Sequence, residues 1–177
     1  DTNQLTQQIA TLSQVEQQLN TNKNLEKLIG MYSATQYNSI VSYIGKQIEA
    51  SGDVGILQQG QARFVYYLNT ASETTNLVIK DSNDTVVYTG PGTKLAGRNE
   101  YVWDGKDSNG NPMPEGVYKM EVVAKDAGGQ DIASKTFITG VVTSVDSVDG
   151  QAYLSIGDLS VPLDKVTSIR MPQELNS

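Results

Sequence analysis

The chain has 177 residues, a net charge of −7, and neither histidine nor cysteine. Their absence excludes Ser-His and Cys-His nucleophile pairs, the usual zinc sites within one chain, and disulfides. An isoelectric point near 4.5 argues against a nucleic-acid partner, which needs clustered Lys and Arg, and a 38% hydrophobic, 19% charged composition argues against disorder driven by charge.

Residues 1 to about 44 contain no proline and a single glycine, Gly30, and are rich in Gln, Asn, Ser and Leu. Leu5, Ile9, Leu12, Val15 and Leu19, then Leu25, Leu28, Ile29 and Tyr32, recur in steps of three and four, the mark of an apolar stripe on an α-helix. Asp1, Thr2 or Asn3 is placed to cap its start. At a rise of about 1.5 Å per residue, about 40 residues make a rod about 60 Å long. Gly30, costing about 1 kcal/mol relative to alanine, is a candidate break. A stripe this long needs a cover. Its length favours a partner helix or protein over the chain's own β region, while Glu16 and Asn22 interrupt the heptads, so oligomer number is not legible.

From Gly45 the period changes from helical to two. Strands are expected at Lys46–Val54, Gln61–Leu68, Asn76–Lys80, Thr85–Tyr88, Glu100–Trp103, Gly116–Lys125 and Ile132–Ile138, with turn chemistry at Asp81–Asp84, from Pro91, across Asp104–Glu115 and at Asp126–Gly129. That spacing indicates a small β-sandwich. Gly140–Val148, Ala152–Ile156 and Leu159–Leu163 form a closing meander around Asp149-Gly150 and Gly157-Asp158. The meander is too small to bury a core alone, and Lys46–Val54 is the spare strand to join it. No apolar run approaches the roughly 20 residues of a spanning helix, and the N-terminus has no signal-peptide pattern.

The densest polar cluster, Asp104–Pro112, has the look of a calcium loop. Setting Gly110 at the sixth loop position puts Gly105 at the first and Gly116 at the twelfth, where ligands are required, so the EF-hand pattern fails and a tight inter-strand loop is expected. Trp103, the only tryptophan, alternates with Tyr101 and reads as core. No Ser-x-x-Lys spacing occurs, and acid pairs such as Asp104 and Asp107 sit in turns, so no catalytic residue, cofactor or metal site is assigned.

The wider frame Tyr101-Val102-Trp103-Asp104-Gly105-Lys106-Asp107, Gly110-Asn111, Pro114-Glu115-Gly116-Val117-Tyr118 resembles the bacterial flagellar hook-capping family, although related sandwich repeats at bacterial surfaces carry it too. Residues 1–19, Tyr43-Ile44-Gly45-Lys46, Gly140-Val141-Val142-Thr143, Val161-Pro162-Leu163 and Val166-Thr167-Ser168-Ile169 resemble further family segments in the same order. Valine stands where the family has leucine before Glu16, and the family's segment upstream of Asp1, which carries export information, is expected to be missing.

The resemblance implies a mainly β fold with a long N-terminal helix: a helical segment (1–44), a discontinuous Tudor-like barrel (45–60 plus 137–172), an inserted immunoglobulin or fibronectin III-like sandwich (61–136), and a tail (173–177). It implies a non-enzymatic scaffold, passed through the flagellar export apparatus, that sits at the tip of the growing hook as a ring of about five copies and promotes assembly of hook subunits. Leu5, Ile9, Leu12, Val15, Leu19, Leu25, Leu28 and Ile29 are then the contact residues to each other or to hook subunits, and Trp103, Asp104, Gly105, Asp107, Gly110, Pro114, Gly116 and Tyr118 a structural motif. A surface adhesion module on a coiled-coil stalk is the alternative.

Overall fold

The computed structural model describes residues 1–172, so the expected tail at 173–177 lies outside the described residues. The chain divides into two compact units, the first Asp1–Ser42 and the second from Tyr43 onward.

The first unit is one helix, α1, Thr2–Val41. It runs unbroken through Gly30, whose missing side chain would meet nothing within 4 Å. One glycine costs about 1 kcal/mol, too little to interrupt 40 residues that otherwise hold good helix formers. Asp1 occupies the N-cap position without a side-chain capping bond. The hydroxyls of Thr6, Thr11, Thr21 and Thr35 donate back to carbonyls four residues earlier, at 2.8–2.9 Å.

The described residues of the second unit form twelve strands: β1 (Gln47–Ser51), β2 (Val54–Leu57), β3 (Ala62–Leu68), β4 (Thr74–Lys80), β5 (Val86–Pro91), β6 (Gly97–Trp103), β7 (Gly116–Lys125), β8 (Ser134–Val141), β9 (Ser144–Val148), β10 (Gln151–Ile156), β11 (Leu159–Pro162) and β12 (Val166–Arg170). They form three antiparallel sheets, ordered β12-β1-β8-β3-β6, β2-β7-β4-β5 and β11-β10-β9. None of the three closes on itself into a barrel. Pro91 ends β5 at the edge of its sheet, where a missing N–H is tolerated.

Two expected strands are divided. Lys46–Val54 splits at Gly52-Asp53, where the chain changes sheets: Gly52 N–H donates to Thr136 O of β8 and Asp53 O accepts from Met120 N–H of β7. A side chain at Gly52 would lie 2.5 Å from Ile138 Cδ1, so the crossing needs glycine. Gly140–Val148 splits at Val142-Thr143: Val142 remains hydrogen-bonded to the β1 approach (Lys46 O, Gly45 N–H) while Thr143 N–H turns to Ser155 O of β10. The spare strand pairs with β8 and β12 rather than with the meander strands β9–β11. The three-stranded meander keeps a sheet of its own.

The main core joins Leu57, Phe64, Tyr66, Leu68, Leu77, Ile79, Trp103, Tyr118 and Met120 from the two larger sheets. A second set of buried apolar residues includes Ile48, Ala50, Val142, Val145, Leu154, Ile156 and Val161. Between the five- and three-stranded sheets the backbones come close enough that a side chain on Gly140 would lie 2.3 Å from Ile156 Cγ2.

Among the described residues, one charged side chain is buried on the five-stranded sheet. Glu49 of β1, only 7% exposed, accepts from Arg98 Nε (3.1 Å) and Nη2 (2.8 Å) of β6 and from Arg170 Nη2 of β12. Arg170 is its diagonal neighbour across the β1–β12 pair. Arg98 is three strand intervals away, about 14 Å in a flat sheet, so the contact requires the sheet to coil. Arg98 and Arg63 both reach Glu100, at 3.7 and 2.9 Å, so all three arginines of the chain converge on two carboxylates. The Glu49 carboxylate, through its hydrogen bonds, holds the Arg98 guanidinium above its already high range.

Glu49→Gln keeps the shape and removes the charge. Because the arginines remain about two-fifths exposed and can rehydrate, the expected loss is about 1–2 kcal/mol, measured as a lower urea midpoint at unchanged slope. An unchanged midpoint would mean that strand pairing alone maintains the coil.

Candidate interaction surfaces

The structural motif begins where β6 ends. Trp103 is fully buried, donates Nε1–H to Lys106 O at 2.9 Å, and meets the Tyr118 ring edge-on at a centroid distance of 4.9 Å. Tyr118 donates its hydroxyl to Pro114 O at 2.7 Å. The aromatic pair thus fastens both ends of the 104–116 loop to the core, as each ring buries its body and finds a partner for its polar tip. Gly105, at φ +69°, leaves room for Leu57, whose Cδ1 would lie 2.8 Å from a Cβ there.

Asp107 shows what the polar cluster does. Its Oδ1 accepts from Asn109 N–H and Asn111 N–H at 2.9 and 2.8 Å, and its Oδ2 from Asn111 Nδ2 at 3.1 Å. Its N–H donates to Asn111 O, and Gly110, at φ +85°, donates to Asp107 O. The same pattern recurs at Asp81 with Asn83 and Thr85, and at Asp126 with Gly128 and Gln130. The fourth residue of each turn has positive φ: Asp84 (+58°), Gly110 and Gly129 (+79°). These carboxylates fold their own backbones. Asp104 does likewise, accepting from Lys106 N–H at 3.2 Å. Gly116, at φ +151°, opens β7. The motif is therefore one such turn inside a loop pinned at both ends by its aromatic pair. Among the described residues, no three carboxylates gather where they could hold a metal ion.

The contact residues proposed from sequence all lie on α1. Leu5, Ile9, Leu12, Val15, Leu19, Leu25, Leu28 and Ile29 are each 51–65% exposed. An unbroken helix advances about 100° per residue. Leu5 to Leu19 therefore share one face, whereas Leu25, Leu28 and Ile29 point about 150° away from it. The six-residue step from Leu19 to Leu25 produces the change, and Asn22 marks it. The single stripe is thus two apolar patches facing nearly opposite ways.

Two features escaped the sequence reading. Glu49 sits between Ile48 and Ala50 in a short strand, and an acid flanked by buried positions was the available signal. The second is the Gln59-Gly60 turn joining β2 to β3, with φ of +51° and +75°. Glutamine seldom takes such a conformation, and here its N–H is held by Glu115 Oε1 at 2.9 Å.

The fold defines a mainly β protein with several antiparallel sheets and a long N-terminal helix. The family model of the FlgD Ig-like domain matches residues 51–128. The basal-body rod modification protein FlgD of Buchnera aphidicola is 25% identical over 157 residues, covering 87% of this chain and 66% of that protein; the Salmonella typhimurium FlgD is 26% identical over 177 residues, covering 94% and 76%. A crystal structure of FlgD from Xanthomonas campestris, described as giving insights into hook capping, superposes with a TM-score of 0.63 at 27% identity, covering 74% of this chain and 95% of that one. FlgD from P. aeruginosa gives 0.60 at 29%, covering 72% and 97%. The chain is similar in sequence and in fold to these FlgD proteins. It spans just under two-thirds of the Buchnera protein's length.

The Asp107 turn has a pH signature. Bonds from the Asn111 side chain, then from backbone N–H groups, hold the Asp107 carboxyl below its usual value of 3.8. A depressed folded-state pKa contributes stability above the ordinary value and loses it as pH falls through the lower one. Asp107→Asn should therefore flatten the decline in stability below about pH 4, measured by urea unfolding at stepped pH. Asp84, held down by Lys119, leaves part of the slope in place. An unaltered slope would contradict this account.

Proposed function

We propose that this chain acts as a non-enzymatic scaffold, capping the tip of the growing bacterial flagellar hook and promoting assembly of hook subunits. The observation that carries the reading is the pair of apolar patches on α1, surfaces suited to binding other chains and to no chemistry. Similarity to FlgD supplies the class of partner.

Two patches facing nearly opposite ways suit a subunit held between two neighbours. A face that meets a different face on the next copy generates a ring when the rotation closes. A ring of about five copies, outside the cell at the hook tip after passage through the flagellar export apparatus, is the assembly proposed here. The same reading makes residues 45–60 with 137–172 a Tudor-like module, split in sequence by an immunoglobulin or fibronectin III-like insert at 61–136. The pairing of β1 with β8 and β12 supports it.

In a capless strain complemented with the full-length gene carrying Leu12→Asp and Leu19→Asp, hook protein should appear unpolymerised in the medium. Hooks of normal length would contradict the role of these patches. For the module, replacing 61–136 by a short linker should leave a folded β protein by circular dichroism and NMR, held by Ile48, Ala50, Leu154 and Val161; an unfolded product would contradict the insertion.

A further inference from the structure

The unbroken helix confines the first apolar face of α1 to Leu5, Ile9, Leu12, Val15 and Leu19, each more than half exposed. Counted from Leu12, these five stand at −7, −3, 0, +3 and +7. The face therefore reads the same in either direction along the axis. Leu5 and Leu19 lie about 20° to either side of Leu12 around the helix, and Ile9 and Val15 about 60°. A second copy laid antiparallel about Leu12 brings Leu5 level with the copy's Leu19, Ile9 level with the copy's Val15, and Leu12 beside the copy's Leu12. A two-fold pair requires contacts of this kind, in which residue i meets j and j meets i.

Steps of three and four often give a nearly symmetric stripe, so spacing needs a second signal. The charges provide it. Residues 1–23 hold three charged side chains, Asp1, Glu16 and Lys23, all exposed. Asp1 and Lys23 stand at −11 and +11 from Leu12, each about 20° from it around the helix, so they close the two ends of the same face. Antiparallel pairing sets each Asp1 level with the copy's Lys23, and each Glu16 level with the copy's Gln8. Parallel pairing in register sets Asp1 on Asp1, Glu16 on Glu16 and Lys23 on Lys23. Like charges that face each other oppose association, and unlike charges favour it. The second face has no such match: mirrored between Leu28 and Ile29, it sets Glu26 on Met31 and Lys27 on Gly30.

We propose that in solution two copies of this chain pair antiparallel through the first face of α1, with Leu12 on the two-fold axis and an Asp1–Lys23 ion pair at each end. The pair takes the apolar stripe out of water, and it closes at two copies, so it is a form apart from any ring. Five apolar side chains from each helix make a contact smaller than a stable interface, so concentrated protein pairs and dilute protein is monomeric. A partner that meets this face must displace the second copy. The pairing goes beyond the scaffold reading and does not rest on it.

The chain has no cysteine, so introduced ones report neighbours directly. Leu5→Cys and Leu19→Cys are purified separately, then oxidised at high concentration, alone and mixed. The mixture should give a disulfide-linked dimer. Each variant alone should stay uncross-linked, because identical positions lie about 21 Å apart along the axis of the pair. Both positions are already exposed, so neither variant disturbs a core. In analytical ultracentrifugation, Leu12→Asp should raise the concentration for half-dimerisation about tenfold or more, since the axis brings two carboxylates together. Lys23→Asp should raise it severalfold, and adding Asp1→Lys should restore it. A wild type that stays monomeric when concentrated, self-cross-linking of either cysteine variant, or a mixture that fails to cross-link would refute the pairing. The hook test of the scaffold reading is untouched by any of these results.

Discussion

One strand organises the second unit. β1 is paired on both edges, by β8 and by the last strand β12, so the first and final β segments of the chain are neighbours. Its Glu49 is the buried charge on which Arg98 and Arg170 converge. A buried carboxylate is costly unless paired and hydrogen-bonded. Two guanidinium groups, from β6 and β12, meet that demand. Gly52 then takes the chain from this sheet into the next, and the sandwich, its loops and its aromatic motif follow from that crossing.

The first unit poses the opposite problem. α1 satisfies its backbone internally and carries apolar side chains that remain more than half exposed. Most helical stability in proteins comes from packing an apolar face rather than from propensity. A helix of this length with two such patches is the surface we propose for binding other chains. The second unit supplies rigidity: its carboxylates stabilise turns, its tyrosines pin loops, and its three arginines join strands. Side chains that elsewhere do chemistry here maintain shape.

Much of this was legible beforehand. The helix followed from steps of three and four, and seven of the β segments from alternation and turn residues. The Asp149-Gly150 turn has φ of +50° and +78°, the conformation that residue pair favours. The failures have physical causes. Gly30 was weighed by propensity alone, and one unfavourable residue does not outweigh its neighbours. The two patches were taken for one stripe because local steps hide a cumulative phase, and the five residues without an apolar side chain between Leu19 and Leu25 carry the second patch about 150° round the helix. β2, of which only Val54 fell inside the expected Lys46–Val54 strand, was missed because the strand pattern does not record which sheet a segment enters. The network around Glu49 depends on the coil of a sheet whose strands lie over a hundred residues apart in sequence, and no local signal encodes that.

The absence of cysteine, first a reason to exclude chemistry, makes the central claim open to a direct measurement. Single cysteines at Leu12, on the first patch, and at Ser13, about a right angle from both patches, give two sites for maleimide labelling in full-length protein with no other cysteine. If the apolar patches are contact surfaces, Leu12→Cys will label in the free protein and be protected at the hook tip, while Ser13→Cys labels in both. Equal labelling of Leu12→Cys in the free and assembled states would contradict the account.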